Sequence, residues 1–319
     1  MKEFCRFNRR FGSRATRSVP LGRRIGGTVL LRAAFVSVFC LQAVCAGAQS
    51  NSTSPVGTNL APVNYYTSEQ PFLNIFKTGG GWGGTTTGGS RYNEIQGAFN
   101  LDANGYPTTM AGAGPAAGQT FTEIDTLLLR NLGLANMSGP TTAPFYPAGN
   151  YVLLYSGTGT FNFEFDCVNS NIVSSTPGRI VINIPAPSTN GCQIWITSMG
   201  SGSNYPQNIA FVYSPDSTGS NIGTNETLYN GGAIFNPTFV SLISQFRTLR
   251  FMDWAQTNQT VQTNWSGRPT PTQAFWGIWS YPGAGNVDPM PQAVPVEVMV
   301  ALCNQVNADA WFNMTAVHR

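Results

Sequence analysis

The middle of the sequence is a series of short runs in which apolar and polar residues alternate between turn residues. These runs recur from about Tyr92 to Tyr213 and are rich in Thr, Tyr, Phe, Val and Ile. The clearest runs are residues 150–155, 160–165, 179–184, 193–197 and 208–213. Many short strands at such spacing are typical of a β-sandwich, so we predict a sandwich of the jelly-roll kind over residues 91–225. Residues 120–130 fit either a strand or a helix.

A different pattern follows the polar segment 214–230, which we interpret as a boundary. Asn236 can cap a helix that continues to Phe246, and Pro237 suits its first turn. A short buried strand over residues 249–253 comes next, and residues 295–306 and 309–314 repeat the order of helix and strand. This alternation predicts part of a βα barrel or of a doubly wound sheet over residues 226–319.

An earlier strand and helix precede the β-rich region. Residues 56–62 fit a strand, and residues 69–77 fit a short helix that begins near Pro71. The glycine-rich segment 78–89 is expected to be an irregular loop that carries Trp82. This segment lacks the spacing of a phosphate-binding loop. We therefore assign residues 57–90 to a first βα unit and its loop.

The first 48 residues have the composition of an export signal. They hold nine of the 17 basic residues and one of the 14 acidic residues, which leaves 17 − 9 = 8 basic and 14 − 1 = 13 acidic side chains beyond them. A short apolar run and Ala46-Gly47-Ala48 follow the basic part, so cleavage is expected near Ala48, before a linker over residues 49–56. A retained anchor is the alternative. The acidic remainder argues against nucleic-acid binding, and we expect a secreted, periplasmic or cell-surface protein without a stable membrane span.

The cysteines agree with an exported chain. Cys167 and Cys192 flank one predicted sheet region, and we expect a disulfide between them because an oxidising compartment permits one. Cys303 lies on a predicted helix face and is expected to be a buried free thiol. His318 is the single histidine of the sequence, so no zinc site, other metal site or cofactor is expected.

The strand end near residue 253 and the tryptophans are the candidate site residues. In βα folds working groups follow the strands, which singles out Arg250, Asp253, Trp254 and Asn258, with Asp253 a weak catalytic candidate. Few charges and many Trp, Tyr, Asn and Gly residues are typical of extracellular carbohydrate-active proteins. The candidates for stacking on sugar rings are Trp82, Trp254, Trp265, Trp276 and Trp279. The alternative for each tryptophan is packing in the core.

Several sequence blocks resemble secreted bacterial cellulase-like proteins, often labelled cellulose-binding, which combine a β-sandwich with a glycoside-hydrolase-type TIM barrel. The blocks are GTNL at 57–60, PFLNIFK at 71–77, LDANGYP at 101–107, GNY at 149–151, YSGTG at 155–159, LRFMDW at 249–254, PVEVM at 295–299 and DAWFNM at 309–314. The resemblance implies that residues 57–60, 249–253 and 309–314 are the first three barrel strands. It also implies that the sandwich is inserted after the first helix.

The chain departs from this family after residue 314. A TIM barrel needs roughly 200–250 residues, whereas 89 residues follow Asn230, so about three βα units are expected. The resemblance places the catalytic carboxylates on later strands. Glycoside hydrolysis needs two carboxyl groups across one bond, and Asp253, Asp288 and Glu297 offer no evident pair. We expect a truncated cellulase-like chain that retains at most binding of cellulose or another β-glucan. The alternatives are an active glycoside hydrolase on β-glucan-type polysaccharide and a non-catalytic structural or surface module.

Overall fold

A computed structural model describes residue 51 and residues 53–130, 144–257, 265–277 and 293–313. The strands are β1 (Gly57–Asn59), β2 (Gly83–Thr86), β3 (Arg91–Asn93), β4 (Phe99–Leu101), β5 (Pro107–Gly112), β6 (Phe121–Leu128), β7 (Gly149–Ser156), β8 (Gly159–Phe165), β9 (Ile172–Thr176), β10 (Arg179–Ile184), β11 (Cys192–Met199), β12 (Gln207–Tyr213), β13 (Thr248–Arg250) and β14 (Asp309–Trp311). The helices are α1 (Thr224–Asn230), α2 (Pro237–Ile243) and α3 (Val296–Val306). The part of the chain that is described is therefore mostly β-sheet, which confirms the expected β-rich character.

Two antiparallel sheets account for most of the strands. One has the order β12-β7-β10-β9 and the other the order β3-β2-β6-β11-β8, while β4 and β5 form a separate pair. Both larger sheets contribute to one cluster of buried side chains, which includes Leu153 and Phe211 from the first sheet and Ile124 and Ile194 from the second. Alternation explains this burial, since every second residue of a strand faces the same side. Residues 120–130, which fit two structures by sequence, contain strand β6.

A disulfide joins the end of one strand of the five-stranded sheet to its neighbour. Cys167 follows β8, and Cys192 begins β11, which pairs with β8 in antiparallel register. The two Cα atoms lie 5.3 Å apart, and both residues are buried. Cys303, on α3, is buried and is not part of this disulfide.

A third sheet is parallel and has the order β1-β13-β14. Its register places Asn59, Arg250 and Trp311 side by side. The previous row on the same face of the sheet is Gly57, Thr248 and Asp309. One face of this sheet carries Leu249, which is buried in a second hydrophobic cluster together with side chains of α2 and α3. Asn236 caps α2 by accepting a hydrogen bond from the Thr238 amide, as the sequence predicts. The other face of the sheet carries the row of Asn59, Arg250 and Trp311.

Two local predictions are wrong, and a third segment contains a helix that the sequence did not predict. Residues 69–77 form no α-helix; a 3₁₀ turn, Ile75–Thr78, is present instead, and Phe72 forms a bridge with Phe235. The glycine-rich segment contains strand β2, which pairs with β3 and β6 and so belongs to the antiparallel sheet. The polar segment after residue 214 contains α1.

Close packing explains why a strand rich in glycine forms here. A Cβ atom on Gly84 would lie 2.8 Å from the Glu123 carbonyl oxygen and 2.9 Å from the Phe121 ring. The approach of β6 to β2 therefore requires glycine at this position. Composition alone indicates a loop, because glycine is normally depleted in strands.

Within the described residues, no helix combines the length and the apolar character needed to cross a bilayer.

Candidate functional site

The face of the parallel sheet opposite α2 and α3 is open, and its side chains are polar or aromatic. Asn59, Arg250 and Trp311 occupy one row across the three strands, so their side chains leave the sheet on the same side. Neighbouring strands are about 4.8 Å apart, so this row spans about 10 Å. Trp311 is 55% exposed. We call this surface, together with Asp253 and Asn313 at its edge, the open face.

Asp253 is held at the open face by Asn59. The Asn59 Nδ2 group donates a hydrogen bond of 2.7 Å to Oδ2 of Asp253, across 194 residues of sequence. This bond fixes the orientation of the Asn59 amide and leaves its Oδ1 atom as an acceptor. Oδ1 of Asp253 receives no hydrogen bond from another described residue. The pair therefore offers two neighbouring acceptors for hydroxyl groups.

Arg250 lies between this pair and the exposed tryptophan. Its guanidinium carbon is 5.1 Å from the centre of the Trp311 ring, and its Nε donates to Oδ1 of Asn313 at 3.3 Å. A second nitrogen of Arg250 lies 3.1 Å from the Met252 sulfur. These contacts hold the Trp311 ring beside a fixed cation. The open face thus combines a planar apolar surface with charged and amide groups.

A cavity of about 220 Å³ lies beside the first strand of the open face. Asn59 and Trp254 both line it, and Glu69 and Phe239 lie on its walls. Trp254 is only 2% exposed and contacts the rings of Phe72 and Phe251. Its indole therefore serves the core behind the sheet, and the prediction that Trp254 stacks on a sugar is wrong.

Two more of the predicted sugar-stacking tryptophans are buried. Trp82 is 1% exposed, and its Nε1 donates to the Gly105 carbonyl at 2.6 Å. Trp276 is 5% exposed and meets the edge of the Phe72 ring, with 4.9 Å between ring centres. Large aromatic side chains give more free energy of burial than most residues, and here they fill the core. Neither side chain has a face available to a polysaccharide.

Of the predicted stacking residues that the structure describes, Trp265 is the exposed one, at 69%. The Arg268 guanidinium lies 4.2 Å from the centre of its ring, and Arg268 also donates to Glu297 Oε1 at 2.8 Å. Burial opposes ionisation of Glu297, but a backbone hydrogen bond and Arg268 outweigh it and lower the pKa of this carboxyl group. Glu297 is therefore an ionised partner of Arg268. Asn258 and Trp279 lie outside the described residues.

The described carboxylates do not form a catalytic pair at the open face. Asp253 lies at the carboxyl end of the sheet, whereas Asp309 lies at the opposite end of β14 and pairs with Arg247 at 2.9 Å. Glu297, on α3, forms an ion pair with Arg268. Asp288 lies outside the described residues. The described part of the open face can accept hydrogen bonds from hydroxyl groups and stack an aromatic ring on a sugar. It contains one carboxylate, whereas glycoside hydrolysis needs two.

Sequence reasoning missed Asn59, Trp311 and Asn313. All three follow or end a parallel strand, so their position at the carboxyl edge was the available signal. Trp311 lies in the strand predicted over residues 309–314, and all three residues of β14 are exposed. Across the described ranges, no three His, Cys, Asp or Glu side chains come together as a metal site would require.

Comparisons of the chain with models of known protein families, with curated proteins and with solved structures found no match of any kind.

Proposed function

We propose that this protein binds a polysaccharide of the β-glucan type through the open face of its parallel sheet. The observation that carries the proposal is the Trp311 ring, exposed beside Arg250 and in one row with the Asn59–Asp253 pair. An exposed aromatic ring covers the C–H face of a sugar, and amide and carboxylate oxygens accept its hydroxyl hydrogens. The row is about as long as two sugar rings.

The architecture we propose for this function has two parts. The two antiparallel sheets, which share one hydrophobic cluster, are a β-sandwich of jelly-roll kind. The parallel sheet with α2 and α3 behind it is a TIM-barrel-type segment whose interior side is the open face. In such barrels the groups that contact substrate follow the strands at the carboxyl edge, which is where Asp253 and Asn313 lie. The resemblance to cellulase-like proteins supports the same assignment.

The proposal includes export of the chain. The basic and apolar pattern of the first 48 residues supports it, because that pattern is typical of a signal peptide. The disulfide between Cys167 and Cys192 agrees with an oxidising compartment, where such bonds persist. A secreted binder of insoluble or soluble glucan is the function that combines these features.

Removal of the Trp311 ring tests the binding site. In affinity electrophoresis through a soluble β-glucan, we expect retardation of the wild-type chain and at least tenfold weaker binding by Trp311→Ala, a loss of about 1.4 kcal/mol. Trp265→Ala is the matched control, since it removes another exposed indole that also contacts an arginine. If Trp265→Ala alone lost binding, the binding site would instead lie at the turn that contains Trp265.

A wild-type chain that is not retarded by any β-glucan would overturn the proposal. Release of reducing sugar, abolished in Asp253→Ala, would instead identify a hydrolase and would require a second carboxylate beyond the described residues.

A further inference from the structure

A larger cavity lies away from the open face, where strand β12, the end of α1 with residues 232–234, and the loop 271–276 come together. Its volume is about 470 Å³, and it shares no lining residue with the open face. Phe72, Lys77, Tyr106 and Trp276 are buried at its inner wall. Exposed residues at its rim are Asn208, Asn230 and Thr272. The cavity thus connects a buried interior to solvent.

Lys77 is the basic group of this cavity. Its ammonium nitrogen contacts the carbonyl oxygens of Pro271, at 3.4 Å, and of Gln273. The same nitrogen lies 4.9 Å from the centre of the Trp276 ring. No carboxylate among the described residues forms an ion pair with it. The side chain is 8% exposed, so its charge has little water to solvate it.

This environment favours the uncharged amine. Burial lowers the pKa of Lys77 to about 7, and no charged neighbour contributes. The titratable groups that share the cavity are Tyr106 and Tyr229, and burial raises the pKa of both phenols, so both are neutral near pH 7. A neutral amine has two N–H groups, which match the two carbonyl acceptors, and keeps one lone pair for an electrophile.

One residue of the cavity lining carries a buried hydrogen-bond donor without a partner in the described part of the chain. Trp276 lines the cavity, and the Nε1–H of Trp276 is buried without an acceptor among the described residues. A buried donor without an acceptor is costly unless a ligand oxygen or a water satisfies it. With the amide and hydroxyl groups at the rim, this donor favours a small polar ligand that carries oxygen atoms.

We propose that Lys77 is a nucleophilic amine that captures a small hydroxyaldehyde in this cavity as an imine. The nitrogen lone pair attacks the aldehyde carbon to form a carbinolamine. Loss of the carbinolamine oxygen as water then forms the C=N bond, so one amine and one aldehyde give one imine and one water. The Trp276 N–H donates to a hydroxyl oxygen of the ligand.

The test uses the unprocessed chain, residues 1–319, because Lys2 and Lys77 are the two lysines of the sequence and removal of the leader would remove the comparison residue Lys2. The full chain is treated with glycolaldehyde and sodium cyanoborohydride from pH 5 to pH 9, and peptide mass spectrometry follows alkylation of each lysine. We expect Lys77 to react at least tenfold faster than Lys2 at pH 7. Its rate should reach half of its maximum at about pH 7, as its pKa requires. The rate for Lys2 should still rise at pH 9.

Two results would overturn the proposal. In the first, Lys2 reacts in the folded chain while Lys77 stays unmodified, and Lys77 reacts only in urea. In the second, the alkylation rate of Lys77 equals that of Lys2 at every pH. Trp276→Phe tests the ligand class, since it removes the N–H and keeps a ring. Capture of glycolaldehyde should slow several-fold in this variant while capture of propionaldehyde stays unchanged, and an equal effect on both would exclude the hydroxyaldehyde.

Discussion

Exposure separates five of the six tryptophans that the structure describes into those that hold the core and those that meet solvent, and the sixth, Trp195 on β11, is half-buried. Trp82, Trp254 and Trp276 are each 5% exposed or less, whereas Trp265 and Trp311 are more than half exposed. A residue type alone does not distinguish the two roles, because an indole gains free energy from either burial or contact with a ligand. The neighbouring residues distinguish the two roles, since both exposed rings lie beside an arginine.

Sequence reasoning located one part of the open face and not the rest. Asp253 and Arg250 were identified because they end a buried strand, and the structure places both at the carboxyl edge of the parallel sheet. Asn59, which holds Asp253, is 194 residues distant in sequence, and no local pattern reports such a contact. Lys77 was treated as an ordinary helix residue, since its burial depends on the distant loop 271–276.

Lys77→Met tests the charge state of the buried lysine. Because the folded-state pKa is about 7 and the unfolded value is about 10.5, the unfolded chain alone holds this proton between those values. The unfolding free energy of the wild type therefore increases with pH between about pH 7 and pH 10.5. Relative to Lys77→Met, we expect a rise of about 2 to 3 kcal/mol from pH 7 to pH 9 in urea denaturation. Parallel curves for the two proteins would contradict the lowered pKa.

Helix α1 is joined to the antiparallel sheet by a buried ion pair. Arg179, on β10, donates through Nε and a terminal nitrogen to the two carboxylate oxygens of Glu226, at 2.6 and 2.9 Å. Ser217 adds a hydrogen bond of 2.7 Å to Glu226. Burial opposes ionisation of this carboxyl group, but Arg179 and Ser217 outweigh it and lower the pKa of Glu226. The element that sequence composition assigned to a boundary is thus tied to the sheet.

Glu226→Gln should destabilise the protein by about 3 kcal/mol at pH 7, since it leaves the largely buried Arg179 without its counter-charge. The difference in unfolding free energy between the wild type and Glu226→Gln should shrink at acidic pH. The loss begins below the usual pKa of a glutamate and continues as the pH approaches the lowered pKa of Glu226. Glu297→Gln is the control, because its ion pair with Arg268 is more exposed and should contribute less than about 1 kcal/mol. Equal urea midpoints for the two variants at pH 7 would contradict this account.

At the scale of the whole molecule, two hydrophobic clusters meet at two short segments. Phe72 belongs to the cluster behind the parallel sheet, whereas Phe76 belongs to the cluster that contains side chains of both antiparallel sheets. Phe275 stacks on Phe76 at 5.1 Å, and Trp276 contacts Phe72 at 4.9 Å. Lys77 lies between these contacts, and its carbonyl accepts from the Trp276 amide at 2.7 Å. The cavity of Lys77 is therefore built at the junction of the clusters.

The sequence predicted the order of strands and helices better than their partners. Strands β8 and β11 bury every second residue, whereas β7, β10 and β12 bury consecutive residues and were visible as short runs rich in β-branched and aromatic side chains. The cap and first turn of α2 were equally visible. The strand at Gly83–Thr86 gave no such signal, because its Gly84 is required by the approach of a strand about 40 residues later. Non-local packing of this kind leaves no local signal.

Protection of tryptophan from oxidation tests the central claim, binding at the open face, on the unaltered chain. N-bromosuccinimide should oxidise the exposed indoles of Trp265 and Trp311 in the free protein, and peptide mass spectrometry reports each one. With saturating soluble β-glucan, we expect Trp311 to be protected at least fivefold, because its ring is covered, while Trp265 is oxidised at its original rate. Oxidation of Trp311 at an unchanged rate in the presence of glucan, or protection of Trp265 alone, would contradict the account.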